Sequence, residues 1–518
     1  MKLINSMVFI LAVLSFFSYD KKEMEVDILI KNGIVYNGVD TIPSNHVVAL
    51  KNDRIVFVGD ENIFRFHSKR TIDAEGLIVC PGFIDPHTHA DRDLIDPKKS
   101  HNKPFLFQGV TTVVVGNDGE SFYPLHEYKA VYKKNGIGTN VISLVGHGTI
   151  RNLVMGLSAR LASKDEIDRM KELIQQEMVD GAYGMSTGLY YAPGSYSNTK
   201  EVISLAEKVA EYHGIYDTHL RDESSFSIGI IPAVEEAISI GKEANLPIHI
   251  SHIKCLGVDV WNQSSAIIKL IEEARNEGIN VTASQYPYDA SATGLKAAVV
   301  PRWAESGGKD SLFLRYNDPK LKERILNDVK KNIIRRGGPD KLLIVKADDS
   351  IYIGKNLLEI SVVLNTSPEV AVFSILKSGY AKVASFNMNT NDIVNFMRQN
   401  WVVTCSDGNT GHPRKYGTFP RKYNKYVKQD KIINLASFIN GSTFKTAEIY
   451  KILKRGKLED GYYADIIIFN PETFKDKADY TNAFQLSEGL EYSIINGNLS
   501  VENGKFINSL NGKVLEKK

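Results

Sequence analysis

Pro81-Gly82-Phe83-Ile84-Asp85-Pro86-His87-Thr88-His89-Ala90-Asp91 is an apolar run that ends by delivering a His-x-His pair. Side chains alternate between the faces of an extended strand, so His87 and His89 project together and can bind one divalent ion from one side, while Thr88 faces the other way. An isolated pair of this kind is as readily two histidines on a surface turn. What decides here is repetition: the same order, apolar run and then a metal-ligand type, recurs further along the chain.

Helical stretches alternate with these runs. Ser163-Lys164-Asp165-Glu166 is a capping box, followed by Ile167, Met170, Ile174 and Met178 at helical spacing and stopped by Gly181. A second helix is expected from about Lys200 to His213 and a third from about Ser265 to Glu277, each ended by a glycine. Apolar runs follow each of them at once. This order predicts an α/β fold, a (β/α)8 TIM-like barrel, with strands near residues 82–86, 110–116, 140–145, 182–187, 214–219, 247–252, 280–285 and 401–406. A Lys- and Asp-rich stretch from about 290 to 345 reads as a subdomain inserted over the barrel mouth. Short β-runs punctuated by Asn, Asp and Gly open the chain (Val26 to Gly59) and close it (Asp465 to Gly497). They predict a small β-sandwich domain composed of residues 24–80 and 456–518, leaving 81–455 for the barrel.

Composition narrows the classes. The chain has 518 residues, 43% hydrophobic and 24% charged, with a net charge of +2. No long basic run interleaved with aromatics is present, which argues against nucleic acid as a partner. Cys80, Cys255 and Cys405 are far apart and in no metal-ligand spacing. Residues 1–22 carry Lys2, the apolar run Met7 to Phe17 and a polar end, the architecture of a signal peptide. Export to a periplasmic or extracellular location is therefore expected, with cleavage or retention as a membrane anchor both left open.

Barrels of this type place their chemistry at the C-terminal ends of the strands. Inspection of those ends yields His87 and His89, then Gly116-Asn117-Asp118-Gly119, then His219, His252 and Asp407. Any one histidine alone reads as structural; four histidines and an aspartate together at strand ends read as a metal site. His147 is expected just outside it, and His249, His213 and His412 are expected to be structural. Lys254, two residues beyond His252, is placed by alternation on the same face, where its ammonium suits a substrate carboxylate.

With these residues in view the sequence resembles the amidohydrolase superfamily, and within it the D-aminoacylase or N-acyl-D-amino-acid deacylase family. The resemblance rests on Pro81 to His89, Gly109 to Asn117, Ser186-Thr187-Gly188-Leu189-Tyr190-Tyr191-Ala192-Pro193-Gly194, Thr218-His219-Leu220-Arg221-Asp222-Glu223 and Ser251-His252-Ile253-Lys254. It continues through Tyr286-Pro287-Tyr288, Ser406-Asp407-Gly408, His412-Pro413-Arg414 and Tyr416 to Pro420. It implies one or two Zn²⁺ ions, with His87 and His89 at one position, His219 and His252 at a second, and Asp407 at the metal and serving as general base. It also implies Tyr191 and Arg414 as contacts to a small substrate that carries a carboxylate; Lys254, by its strand face, and Tyr286, at the end of the seventh strand, are expected to join them. The implied reaction is hydrolysis of an N-acyl-D-amino acid.

One departure stands out. Similar deacylases carry a cysteine after the Gly-Asn of the second strand, where this chain has Asp118. Other amidohydrolases bridge two metals with a lysine from the fourth strand, and Tyr183-Gly184-Met185-Ser186-Thr187 offers none. Asp118, helped by Glu120, is the expected bridge, giving a harder and less thiophilic site. Pocket residues from the insertion, Trp303 and Arg302 among them, are expected to shape substrate choice. Two other readings stay in play: a cyclic-amide hydrolase of the dihydroorotase or hydantoinase kind, disfavoured by the absent lysine, and a non-catalytic binding protein on the same scaffold, disfavoured by Asp407.

Overall fold

The computed structural model describes residues 21–517, so residues 1–20, which hold the expected signal segment, lie outside the described residues. Lys22 already opens a strand.

The barrel strands are Phe83–Asp85, Val110–Val115, Asn140–Ser143 continued by Val145–Gly146, Gly184–Gly188, Ile215–His219, Ile248–Ile250, Val281–Gln285 and Val402–Thr404. Neighbours pair in parallel. The ring closes where the Asp407 amide donates to the His87 carbonyl at 2.9 Å and Thr88 bridges Gly408. That closure lies at the C-terminal ends of the strands, next to the predicted ligands. The first and sixth strands end at Asp85 and Ile250, so the ligands of those strands stand just past the ladder rather than on it.

Outside the strands run the helices that the periodicity predicted. Ser163 and Glu166 form the reciprocal capping box of Lys164–Val179, and Met170, Ile174 and Met178 turn inward from it. Thr199–Glu211 buries Val202, Leu205, Ala206 and Val209, and Ser264–Asn276 buries Ile267 and Ile271. These side chains share one core with Met185, Tyr216, Ile248 and Val281 of the strands. Apolar burial of this kind, at roughly 25 cal/mol per Å², is what fixes helix to sheet.

Both termini meet in a sandwich. A four-stranded sheet holds Lys22–Lys31, Val47–Lys51, Arg54–Gly59 and Phe64–Asp73. A second sheet joins Ile34–Val35 and Ile78–Pro81 to Ile466–Phe469, Leu490–Ile495, Asn498–Glu502 and Lys505–Phe506. Ile467 pairs antiparallel with Cys80, so the two ends of the chain are hydrogen-bonded directly. Ile28, Ile30, Val48 and Leu50 pack against Val79, Ile466, Ile468 and Ile494 between the sheets.

The insertion between the seventh and eighth strands is longer than its charge suggested. Its own sheet, ordered Ala290–Gly294, Ala381–Phe386, Leu342–Ala347, carries it to Phe386 rather than to about 345. The later part escapes a charge-based reading because Leu357, Ile360, Val372, Phe373 and Ile375 fill a separate hydrophobic core.

Candidate active site

The site is assembled on backbone that L-residues seldom adopt. Asp118, His252 and Asp407 have φ of 56°, 39° and 48°. Non-glycine residues in this left-handed region store strain that clusters at functional sites. The turn holding Asp118 is fixed from several sides: the Gly119 amide donates to Ser186 Oγ at 3.0 Å, and Asn117 Nδ2 donates to the carbonyls of Thr88 and Val114, each at 3.0 Å. A Cβ on Gly188 would stand 2.0 Å from the Asp118 carbonyl oxygen, so only glycine lets the fourth strand pass this close.

Asp118 is the hub. Its Oδ1 lies 3.3 Å from His87 Nε2, 3.2 Å from His252 Nε2 and 3.5 Å from His219 Nδ1, and its Oδ2 lies 3.4 Å from His89 Nε2. Asp407 Oδ1 approaches His89 Nε2 at 3.2 Å and His87 Nε2 at 4.0 Å. Two ligand groups result, His87, His89, Asp118 and Asp407 on one side and Asp118, His219 and His252 on the other, with ligand atoms of each group within 4.8 Å of one another. The shared member is the aspartate that replaces the expected cysteine.

The donor set fits a divalent metal. His87 is fully buried, yet neither ring nitrogen has a hydrogen-bond partner. Buried polar atoms are almost always satisfied, so an imidazole aimed unpartnered at two carboxylates calls for a cation. Burial pushes the His87 pKa down to about 4, which leaves the neutral ring a metal requires. At His89 and His252 burial is instead outweighed by facing carboxylates, Asp118 and Asp407 at one and Glu223 and Asp118 at the other, which raise them to about 10 and about 9. Burial opposes the charge of Asp118, but His87, His219 and His252 outweigh it and hold the carboxyl well below its usual range. Asp407 behaves likewise: burial works against its charge, and Arg414, followed by His89, overcomes it.

The predicted substrate contacts divide. Arg414 is buried, with Nη1 2.8 Å from Asp407 Oδ2 and its guanidinium 4.6 Å from the centre of the Tyr286 ring. The Tyr286 hydroxyl and Arg414 Nε are buried without a hydrogen-bond partner. Tyr191 packs at a tilt against His219, ring centres 4.8 Å apart and planes at 53°, and its hydroxyl accepts from Thr293 Oγ1 at 3.3 Å. Lys254 is not free: its ammonium donates to Glu223 Oε1 at 2.5 Å and to the His252 carbonyl at 2.9 Å. The alternation argument fails for it because the strand stops at Ile250 and His252 turns left-handed.

Glu223 is the residue that sequence reasoning overlooked. Its Oε1 lies 3.1 Å from His252 Nδ1 and its Oε2 lies 3.6 Å from His219 Nε2, so one carboxylate orients both rings from behind. Burial opposes its ionisation, and Lys254 with His219 and His252 brings its pKa down to about 2. An acid four residues after a ligand histidine was the available signal.

One further expectation is corrected and the others find their places. Glu120 is exposed and outside both ligand groups, because the turn at Gly119 carries it away. His147 bonds Glu201 at 3.0 Å, which also holds Arg151. His249 pairs with Thr282, and His412 Nε2 meets the Ala290 carbonyl at 3.1 Å, both structural roles, while His213 is exposed after its helix. Arg302 bonds the Tyr190 carbonyl at 2.7 Å, whereas Trp303 turns to Asp328. The three cysteines are buried and unpaired with one another.

Residues 70–316 match the amidohydrolase family. The chain is 29% identical to a D-aminoacylase of Alcaligenes xylosoxydans over 94% of its own length and 97% of that protein's. Its structure is similar, at a TM-score of 0.82 and 29% identity over 95% of this chain and 100% of the other, to a D-aminoacylase whose binuclear centre shows one-metal activation and second-metal attenuation. It is also similar to an N-acyl-D-glutamate deacylase of Bordetella bronchiseptica holding zinc and a phosphonate mimic of the tetrahedral intermediate, with a TM-score of 0.81 and 26% identity over 95% and 100% of the two chains.

Proposed function

We propose, from the premise that an amidohydrolase-family domain covers residues 70–316 of this chain, that the protein hydrolyses the amide bond of N-acyl-D-amino acids to a carboxylate and a free D-amino acid. The observation that carries this reading is the pairing of a two-lobed ligand cluster with unsatisfied buried donors, the Tyr286 hydroxyl and Arg414 Nε, at the same mouth. A metal cluster alone suits many hydrolyses; donors reserved for an anion beside it select an amide that bears a carboxylate.

Zn²⁺ is the ion we assign, one or two per subunit; His87, His89, Asp118 and Asp407 would hold it in one ligand group and Asp118, His219 and His252 in the other. When bound, it supplies Lewis-acid polarisation of water and of the scissile carbonyl. The protein's residues do the rest. Arg414 and Tyr286 take the substrate carboxylate, and Tyr191 closes the pocket over His219. Asp407 accepts the proton of the attacking water and delivers it to the amine nitrogen as the C–N bond breaks. Glu223 holds His219 and His252 in place, and Lys254 keeps Glu223 charged. Export follows in this reading from the apolar segment Met7 to Phe17, and N-terminal sequencing of the mature protein tests it.

The test is release of free amino acid from paired N-acetyl-D- and N-acetyl-L-amino acids by zinc-loaded protein, with Asp407→Asn as control. D-selective release that vanishes in the variant supports the reading. No release from any pair, with metal bound, overturns it and points to cyclic amides.

A further inference from the structure

The inserted sheet lays its strand Ala290–Gly294 across the barrel mouth. The Ala292 carbonyl receives Arg414 Nη2 at 3.4 Å, and Thr293 reaches the Tyr191 hydroxyl at 3.3 Å. On the neighbouring antiparallel strand, Lys382 pairs with Gly294 on one side and Lys346 on the other. Cross-strand partners share a face, so two ammonium groups stand together beside the residue pair that contacts Arg414 and Tyr191. Gly294 puts no side chain between Lys382 and the mouth; a Cβ there would meet nothing nearer than Tyr380 at 3.6 Å.

The other cations around the mouth are neutralised. Arg414 faces Asp407, Lys254 faces Glu223, Lys415 faces Asp93, and Lys296 and Arg302 share Glu305. Lys382 and Lys346 form no ion pair with a carboxylate among the described residues, and Lys382 is half-buried with Arg414, Asp407, Lys346 and Lys415 as charged neighbours, the one carboxylate among them already paired with Arg414. Burial and Arg414 push its pKa down to about 8, so it remains mostly protonated at neutral pH. A half-buried ammonium beside three cations and a single carboxylate that Arg414 already occupies is stabilised by an added anion.

We propose that Lys382 is a specificity-determining residue whose ammonium receives a second carboxylate of the substrate, so that the preferred substrates are N-acyl derivatives of acidic D-amino acids. The inference rests on the deacylase reading above. With the α-carboxylate on Arg414 and Tyr286, an acidic side chain extends toward the inserted sheet and meets Lys382, while exposed Lys346 adds to the field without contact. A neutral side chain leaves the ammonium unpaired.

The experiment compares kcat/KM for N-acetyl-D-aspartate, N-acetyl-D-glutamate and N-acetyl-D-leucine in zinc-loaded wild type, Lys382→Met and Lys382→Arg. Wild type should favour at least one acidic substrate over the leucine derivative. Lys382→Met should lower the acidic rates about tenfold or more, the scale of one charge-assisted hydrogen bond, chiefly through KM and with the leucine rate unchanged; Lys382→Arg should restore them. Preference of wild type for leucine, or an equal loss on all three substrates in Lys382→Met that Lys382→Arg does not repair, overturns the proposal. Turnover without acidic preference removes only this inference. Turnover of none removes the deacylase reading and this inference together.

Discussion

Two buried polar networks in this molecule are built to opposite rules. At the seam between barrel and sandwich, Arg455 pairs with Asp465 and donates to Asn496 Oδ1 at 2.8 Å. Asp465 also accepts the Asn496 amide at 2.8 Å and Asn140 Nδ2 at 3.0 Å, while Asn496 Nδ2 reaches Asn140 Oδ1 at 2.8 Å. None of the named polar groups of that network is left unsatisfied, and it ties the third barrel strand to the C-terminal segment. At the mouth, His87, Tyr286 and Arg414 keep buried atoms with no partner. The seam network closes on itself, whereas the mouth keeps buried atoms free for the metal and substrate proposed above.

The sharpest test of that contrast is to damage each network by one charge. Asp407→Asn should cut kcat by about 10² to 10⁴, the range for loss of a general base, with bound metal retained on the other ligands. Its stability cost should be smaller than that of deleting a partner outright, because asparagine still accepts the Arg414 hydrogen bond although the buried guanidinium loses its counter-charge. Arg455→Met should do the reverse. Removing one partner of a buried pair costs about 3–5 kcal/mol, so urea unfolding should show a large loss while kcat at low temperature stays near wild type. A variant at the mouth that unfolds as readily as Arg455→Met would erase the distinction.

Next in size is Asp118→Gly, which keeps the left-handed turn without cost and removes only the carboxylate. Bound metal per chain should fall, measured by elemental analysis after gel filtration. Unchanged metal content would show that the cluster closes without its hub.

The mouth was largely readable in the sequence, and the seam was not. His87, His89, Asp118, His219, His252 and Asp407 each follow an apolar run, and barrel geometry sends such residues to one place. Glu223 was missed because it sits on a loop and acts behind the histidines, where no strand rule reaches. Lys254 was put on the right side of the barrel for a reason that fails, since the left-handed His252 breaks alternation. The insertion's end was hidden because Leu357 to Phe386 contains apolar residues that serve a local core. Nothing in the sequence around Arg455 or Asn140 marks them as partners, because their network depends on how two remote segments dock. The β-texture of both termini did show that those segments belong together, without revealing what joins them.

Glu177 lies between the two rules and gives the smallest, most discriminating effect. Its side chain is buried, accepts the Leu125 amide at 3.0 Å and has no cation partner among the described residues, and burial raises its pKa from 4.5 to about 7. The folded chain therefore binds this proton more tightly than the unfolded chain. Stability from this group is fully present below about pH 4.5 and is lost as pH rises to about 7. Glu177→Gln keeps an acceptor for Leu125 and removes the ionisation. It should stabilise the protein by about 1–2 kcal/mol at pH 8 and leave it unchanged at pH 4, read from urea unfolding at both values. Equal effects at the two pH values would mean that Glu177 is satisfied like Asp465 and belongs with the seam rather than the mouth.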